Sequence, residues 1–214
     1  MENIYYPTTE DLKKAATQFR ENEPRDLFYR VATELIKLAI SGETILKIPE
    51  ALAVLLQTWN ANYYRFRLFN EDHFQKLEKL ITDSKWVIDT YRKRSILSLE
   101  QNERNKIEGI FKSFETLLGP VGASKSLHLL APTFFPLWDR AIADNYDLTL
   151  GKVGTNATLY YEFMKIVRSQ CQKLEGKLPP DTNPLKAIDE FNYCKFTKKG
   201  FEGSKIKDSL NEKS

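Results

Sequence analysis

Apolar side chains recur every three or four residues along most of the chain and rarely every second residue. That period belongs to helices buried on one face rather than to half-buried strands. Leu12, Ala15, Ala16 and Phe19 follow Thr8 and Thr9, one or the other an N-cap with acids in the first turn, so a helix starts there. The next helix begins near Pro24, sets Leu27, Val31, Leu35 and Leu38 on one face, and stops at Gly42. From Pro49 to Phe69 apolar residues fall on nearly every side, which predicts a central buried helix over 49–69.

Two amphipathic segments follow, with caps expected at Asn70 and Ser84. Ile107, Ile110, Phe111, Phe114, Leu117 and Leu118 mark another helix, and further ones are expected over 138–146, 156–174 and 184–193. The pattern predicts a single all-α, multi-helix domain over residues 1–194. Helices on both sides of the chain's middle can then pack into two lobes with a cleft between them. From Lys195 to Ser214 the composition turns to Lys, Gly and Ser, which predicts a loose basic tail.

Composition narrows the function classes. Hydrophobic residues make up 42% and charged residues 29%, a globular balance, and the net charge of +3 is too small to call for nucleic acid by itself. Cys171 and Cys194 stand far apart with no CxxC spacing, which argues against a zinc or iron–sulfur site, so no metal and no cofactor is expected. No apolar run approaches the roughly 20 residues needed to cross a bilayer. No membrane partner is expected, and the thiol-poor chain without a signal-peptide pattern is expected in the cytoplasm. P-loop and nucleophile-elbow motifs are missing too.

The chemistry concentrates in GPVGASKSLHLLAPTFFPLWDR, Gly119–Arg140. Gly119 and Gly122 bracket Pro120 and Val121, a tight turn between helices whose next first-turn N–H groups can face an anion. Lys125 is expected in the first turn of the following helix, where the dipole disfavours a cation. It is therefore either solvated or functional. His128 shares its face and reads as a core histidine or a catalyst. Pro132 and Pro136 break the chain. Asp139 then opens a new helix as an N-cap, and a capping carboxylate can also face a cleft.

These residues resemble the helix-hairpin-helix DNA glycosylase superfamily, which includes endonuclease III and the 8-oxoguanine glycosylases. LLGPVGASK resembles the hairpin, and FPLWDRAIA resembles the loop and helix that carry the family's aspartate. Glu50–Asn60, EALAVLLQTWN, is similar to the early helix whose end probes DNA, so the likeness spans about residues 49–147. The order of Pro and Gly in the hairpin differs from the family's, and 14 positions from Lys125 to Asp139 is a short spacing.

The resemblance implies a DNA-glycosylase and abasic-lyase activity in DNA repair, with double-stranded DNA as partner. Lys125 would be the Schiff-base nucleophile and Asp139 the carboxylate that stabilises the cationic sugar. Gly119, Val121 and Gly122 would hold a phosphate, with Gln57 and Asn60 probing the duplex. Trp138, Trp59 and Phe135 would stack on the extruded base, and Arg65, Arg67, Arg92, Lys93 and Arg94 would offer phosphate contacts. The alternative is the same scaffold without the chemistry, a helical module that binds nucleic acid or a protein. Lys125 would then lie on the surface and Asp139 would be only a cap.

Overall fold

The computed structural model describes residues 5–65 and 67–198, and the described residues are helical with no strand. The helices are α1 (Thr9–Asn22), α2 (Asp26–Ser41), α3 (Ile48–Trp59), α4 (Ala61–Tyr64), α5 (Glu71–Arg92), α6 (Arg104–Leu130), α7 (Arg140–Asn145), α8 (Ala157–Leu174) and α9 (Pro184–Asn192). A π-helical turn, Tyr193–Thr197, continues α9. Thus the first residues assigned by composition to a loose tail form structure, while 199–214 lie outside the described residues. None of the described helices is long and apolar enough to cross a membrane.

Local chemistry sets the helix starts. Thr8 Oγ1 accepts from the Asp11 N–H at 3.1 Å, and Asp11 Oδ2 accepts from the Thr8 N–H at 2.8 Å, a reciprocal cap on α1. Asn70 caps α5 through the His73 N–H at 3.0 Å. Ser84 caps nothing: it is buried inside α5, which runs unbroken across the two segments expected from the pattern. The helix expected over 49–69 ends at Trp59, and the backbone leaves helical geometry at Asn60 before the single turn of α4.

The faces also differ in one place. Leu27, Val31 and Leu38 of α2 are exposed, and Tyr29, Ala32 and Ile36 are buried instead. The segment carries two apolar stripes, and the side on which α3 and α6 pack decides between them. Elsewhere α6 packs on α8 and α1 on α9. One hydrophobic core runs from Leu12 to Cys194, so any cleft is a cavity beside a continuous core rather than a seam between two. Its centre is aromatic: Phe111 stacks on Tyr160 at 4.1 Å, with Trp138 edge-on to both.

Gly119 breaks α6 into two arms. It has φ 71° and ψ 168°, a conformation open in practice to glycine alone. A Cβ there would lie 2.6 Å from the Tyr63 ring, so backbone and packing demand glycine independently. Helix resumes at once, with Pro120 as its first residue and Gly122 within it. The expected four-residue hairpin is therefore a corner one residue wide.

Candidate active site

A cavity of about 690 Å³ opens where the turn before α2, the end of α3, the second arm of α6, the start of α7 and the end of α9 converge. Lys125 and Asp139 both line it. Two contacts fold the return segment onto the second arm of α6. Trp138 Nε1 donates to the Pro120 carbonyl at 3.1 Å, and Ser124 Oγ lies 3.2 Å from the Trp138 carbonyl. Asp139, the next residue, is thereby delivered to the cavity wall.

Because helix resumes at Pro120, Lys125 sits in the second turn rather than the first. It is part-buried, and its Nζ donates to the Trp59 carbonyl at 2.6 Å while lying 4.4 Å over the Trp59 ring. A cation at the last carbonyls of α3 suits that end of the helix dipole. Burial pulls the Lys125 pKa down to about 8, and the nearby Asp189 and Asp139 carboxylates oppose the fall.

Asp139 caps α7. Its Oδ1 accepts the Ile142 N–H at 2.8 Å, and its Oδ2 accepts from Thr197 Oγ1 at 2.7 Å. The cap and the cavity-facing carboxylate, compatible in the sequence, are combined in Asp139.

The other expected site residues divide. Trp59 lines the cavity. Asn60 does so too, while its Nδ2 is buried against Gly122 without a hydrogen-bond partner. Val121 borders the cavity, but Gly119 is buried against Tyr63 and Gly122 against Asn60, so neither lies where a duplex would approach. Gln57 is exposed and does not line the cavity. Phe135 is fully buried against Tyr91 and Phe134, which removes it as a stacking platform. Trp138 is 1% exposed, packed by Phe111, Tyr160 and Phe163, and is likewise closed to a base. Arg67 lines the cavity over the Tyr63 ring, whereas Arg92 and Arg94 are held away from it by Asp89 and Glu103.

His128 belongs to the core. Its Nδ1–H donates to the Phe135 carbonyl at 2.8 Å, which leaves Nε2 to accept from the Tyr29 hydroxyl at 3.0 Å. Burial lowers its pKa to about 4, so the ring is neutral.

Several cavity residues escaped the sequence reading. Glu23 is clamped by Arg25 at 2.9 and 3.1 Å and accepts from the Tyr193 hydroxyl. Burial would raise its pKa, but these bonds hold it down at about 2. Asp189 is buried and reaches Lys186 at 3.5 Å. Asp26 and Glu190 also flank Lys186, at 3.4 and 3.6 Å. No local motif announces any of them: Asp189 occupies an ordinary amphipathic pattern, and Thr197 follows a composition shift. Among the described residues no group of three or more His, Cys, Asp or Glu is arranged to hold a metal ion.

The chain matches no protein-family model, no curated protein and no solved structure.

Proposed function

We propose that this protein is a DNA-glycosylase-like enzyme that removes a damaged base through a lysine Schiff base. The observation that carries this reading is one cavity holding a lysine with its pKa lowered to about 8, a fixed carboxylate at Asp139 and the ring of Trp59. At pH 7 about a tenth of such an amine is neutral and nucleophilic. A nucleotide extruded from the duplex would enter the cavity. Lys125 would attack the sugar carbon as the bond to the base breaks, and Asp139 would stabilise the positive charge that develops on the sugar. Trp59 would stack on the base.

Borohydride trapping on duplexes carrying a panel of lesions tests the reading. Wild type is expected to give a covalent complex, and Lys125→Ala none. Base release and trapping both absent across the panel would overturn it. The second reading, a non-catalytic helical module binding nucleic acid or a protein, is favoured by the engagement of both groups: Lys125 is held by the Trp59 carbonyl, and both Asp139 oxygens accept hydrogen bonds. Salt-dependent binding to duplex DNA without trapping would select it.

A further inference from the structure

Three carboxylates surround the buried ammonium of Lys186. Asp26 Oδ1 lies 3.4 Å from its Nζ, Asp189 Oδ2 3.5 Å and Glu190 Oε1 3.6 Å. None of these is a short charge-assisted bond of about 2.7–2.9 Å, so no single carboxylate owns the ammonium. The rings of Phe19 and Tyr29 cover it at 4.3 and 4.6 Å. Negative charge is in excess, and it stands on two elements: Asp26 opens α2, whereas Asp189 and Glu190 belong to α9. The three acids differ in support. Asp26 has a second cation, Arg30, at 3.5 Å. Asp189 is buried. Glu190 has Lys186 as its sole ion-pair partner among the described residues, at the longest of the three distances.

Three carboxylates against one ammonium repel one another across the contact between α9 and the start of α2 unless one of them is protonated. We propose that Glu190 carries that proton near neutral pH, and that the cluster is a proton-operated latch which holds α9 to α2 when protonated and loosens it when the proton leaves. The latch bears on the cavity because α9 runs straight into the π-helical turn. There the Tyr193 hydroxyl is bonded to Glu23 and Arg25, and Thr197 Oγ1 donates to Asp139 at 2.7 Å. The inference is independent of the glycosylase reading. Burial raises the Glu190 pKa to about 7; Lys186 opposes the rise, and Asp189 and Asp26 add to it. Glu190 is faced by Lys186 and Asp189 of α9, by Asp26 of α2 with Arg30 beside it, and by Cys194 of the following turn. Burial pushes the Cys194 thiol up to about 11, so it stays neutral through this range. A carboxyl whose pKa is raised in the latched state favours that state in acid. Its contribution is whole below 4.5 and is lost as pH rises through about 7.

Two measurements on the full chain test the latch, and neither needs DNA. The ¹³C-carboxyl resonance of Glu190, assigned through its own backbone amide, is followed against pH. Its midpoint is expected near 7 in place of 4.5, and Asp26→Asn, which removes a like charge, is expected to lower it by at least about half a unit. Amide hydrogen exchange then reads the latch itself. From pH 6 to 8 the protection factors of residues 184–197 are expected to fall about tenfold relative to those of α6, the change that a displacement from 4.5 to about 7 produces over that window. Glu190→Gln, which keeps the uncharged form, is expected to hold its protection flat across the same window. A Glu190 midpoint near 4.5, or one that Asp26→Asn leaves unmoved, overturns the proton seat. Protection of 184–197 that tracks α6 in wild type, or that falls as far in Glu190→Gln, overturns the latch. Should Glu190→Gln fail to fold, the wild-type midpoint and the wild-type comparison with α6 decide the matter.

Discussion

The ammonium of Lys125 is bonded to the carbonyl of Trp59 at 2.6 Å and lies 4.4 Å over the ring of the same residue. The contact joins the second arm of α6 to the end of α3 and holds the amine at the cavity wall. Its stability therefore depends on pH in a direction that can be stated. The folded-state pKa, about 8, lies below the ordinary 10.5 of a free lysine. The stability this group contributes is present above 10.5 and is lost as pH falls through about 8. Urea unfolding of wild type and Lys125→Met should show the difference between them moving in favour of wild type as pH rises from 8 to 10.5. A difference flat across that window would contradict the buried, perturbed amine.

Asp139 combines two tasks that substitutions can separate. Asp139→Asn keeps an oxygen for the Ile142 N–H and should retain most of the stability while losing trapping activity. Asp139→Ala removes the cap and should cost about 0.5–2 kcal/mol, read by chemical denaturation. Equal stability in the two variants would mean that the cap does not hold α7.

The Tyr29–His128–Phe135 chain makes the core sensitive to acid. His128 titrates at about 4 when folded against an ordinary 6.5, so its contribution is complete above 6.5 and is lost as pH falls to 4. The full loss amounts to about 3 kcal/mol. Tyr29→Phe leaves Nε2 without its donor and should cost about 1–3 kcal/mol at neutral pH. Acid unfolding of His128→Phe should lack the wild-type slope between pH 6.5 and 4.

Gly119→Ala should destabilise the protein by at least about 1–3 kcal/mol, because φ 71° with ψ 168° is strained for alanine and its methyl would meet the Tyr63 ring. Adding Tyr63→Ala should recover the steric part and leave the backbone part. A thermal melt of the double variant measures the division.

The helices could be read from the period of Leu12, Ala15 and Phe19 or of Ile107, Phe111 and Phe114 because each segment's apolar spacing is a local property. What the sequence left open was decided by neighbours. Two apolar stripes on α2 compete until α3 and α6 choose Tyr29, Ala32 and Ile36. Trp138 and Phe135 look like stacking platforms when read alone, yet the packing of α5, α6 and α8 consumes both. Lys125 and Asp139 could be paired in advance because a short helix and a proline-broken return lie between them. Asp189 and Thr197 could not, since only the folded chain brings residues so distant in sequence to the same wall.

The one-residue corner at Gly119 acts as a crank. Lys125 stands six residues along the second arm, about 9 Å from the pivot at 1.5 Å per residue. A rotation of about 10° at the glycine would sweep the base of the lysine through about 1.5 Å. The crank is stopped beside its pivot by the Trp138 bond to Pro120 and midway along the arm by the Lys125 grip on Trp59. Whatever occupies the cavity and loosens either grip also releases the lever that aims the amine.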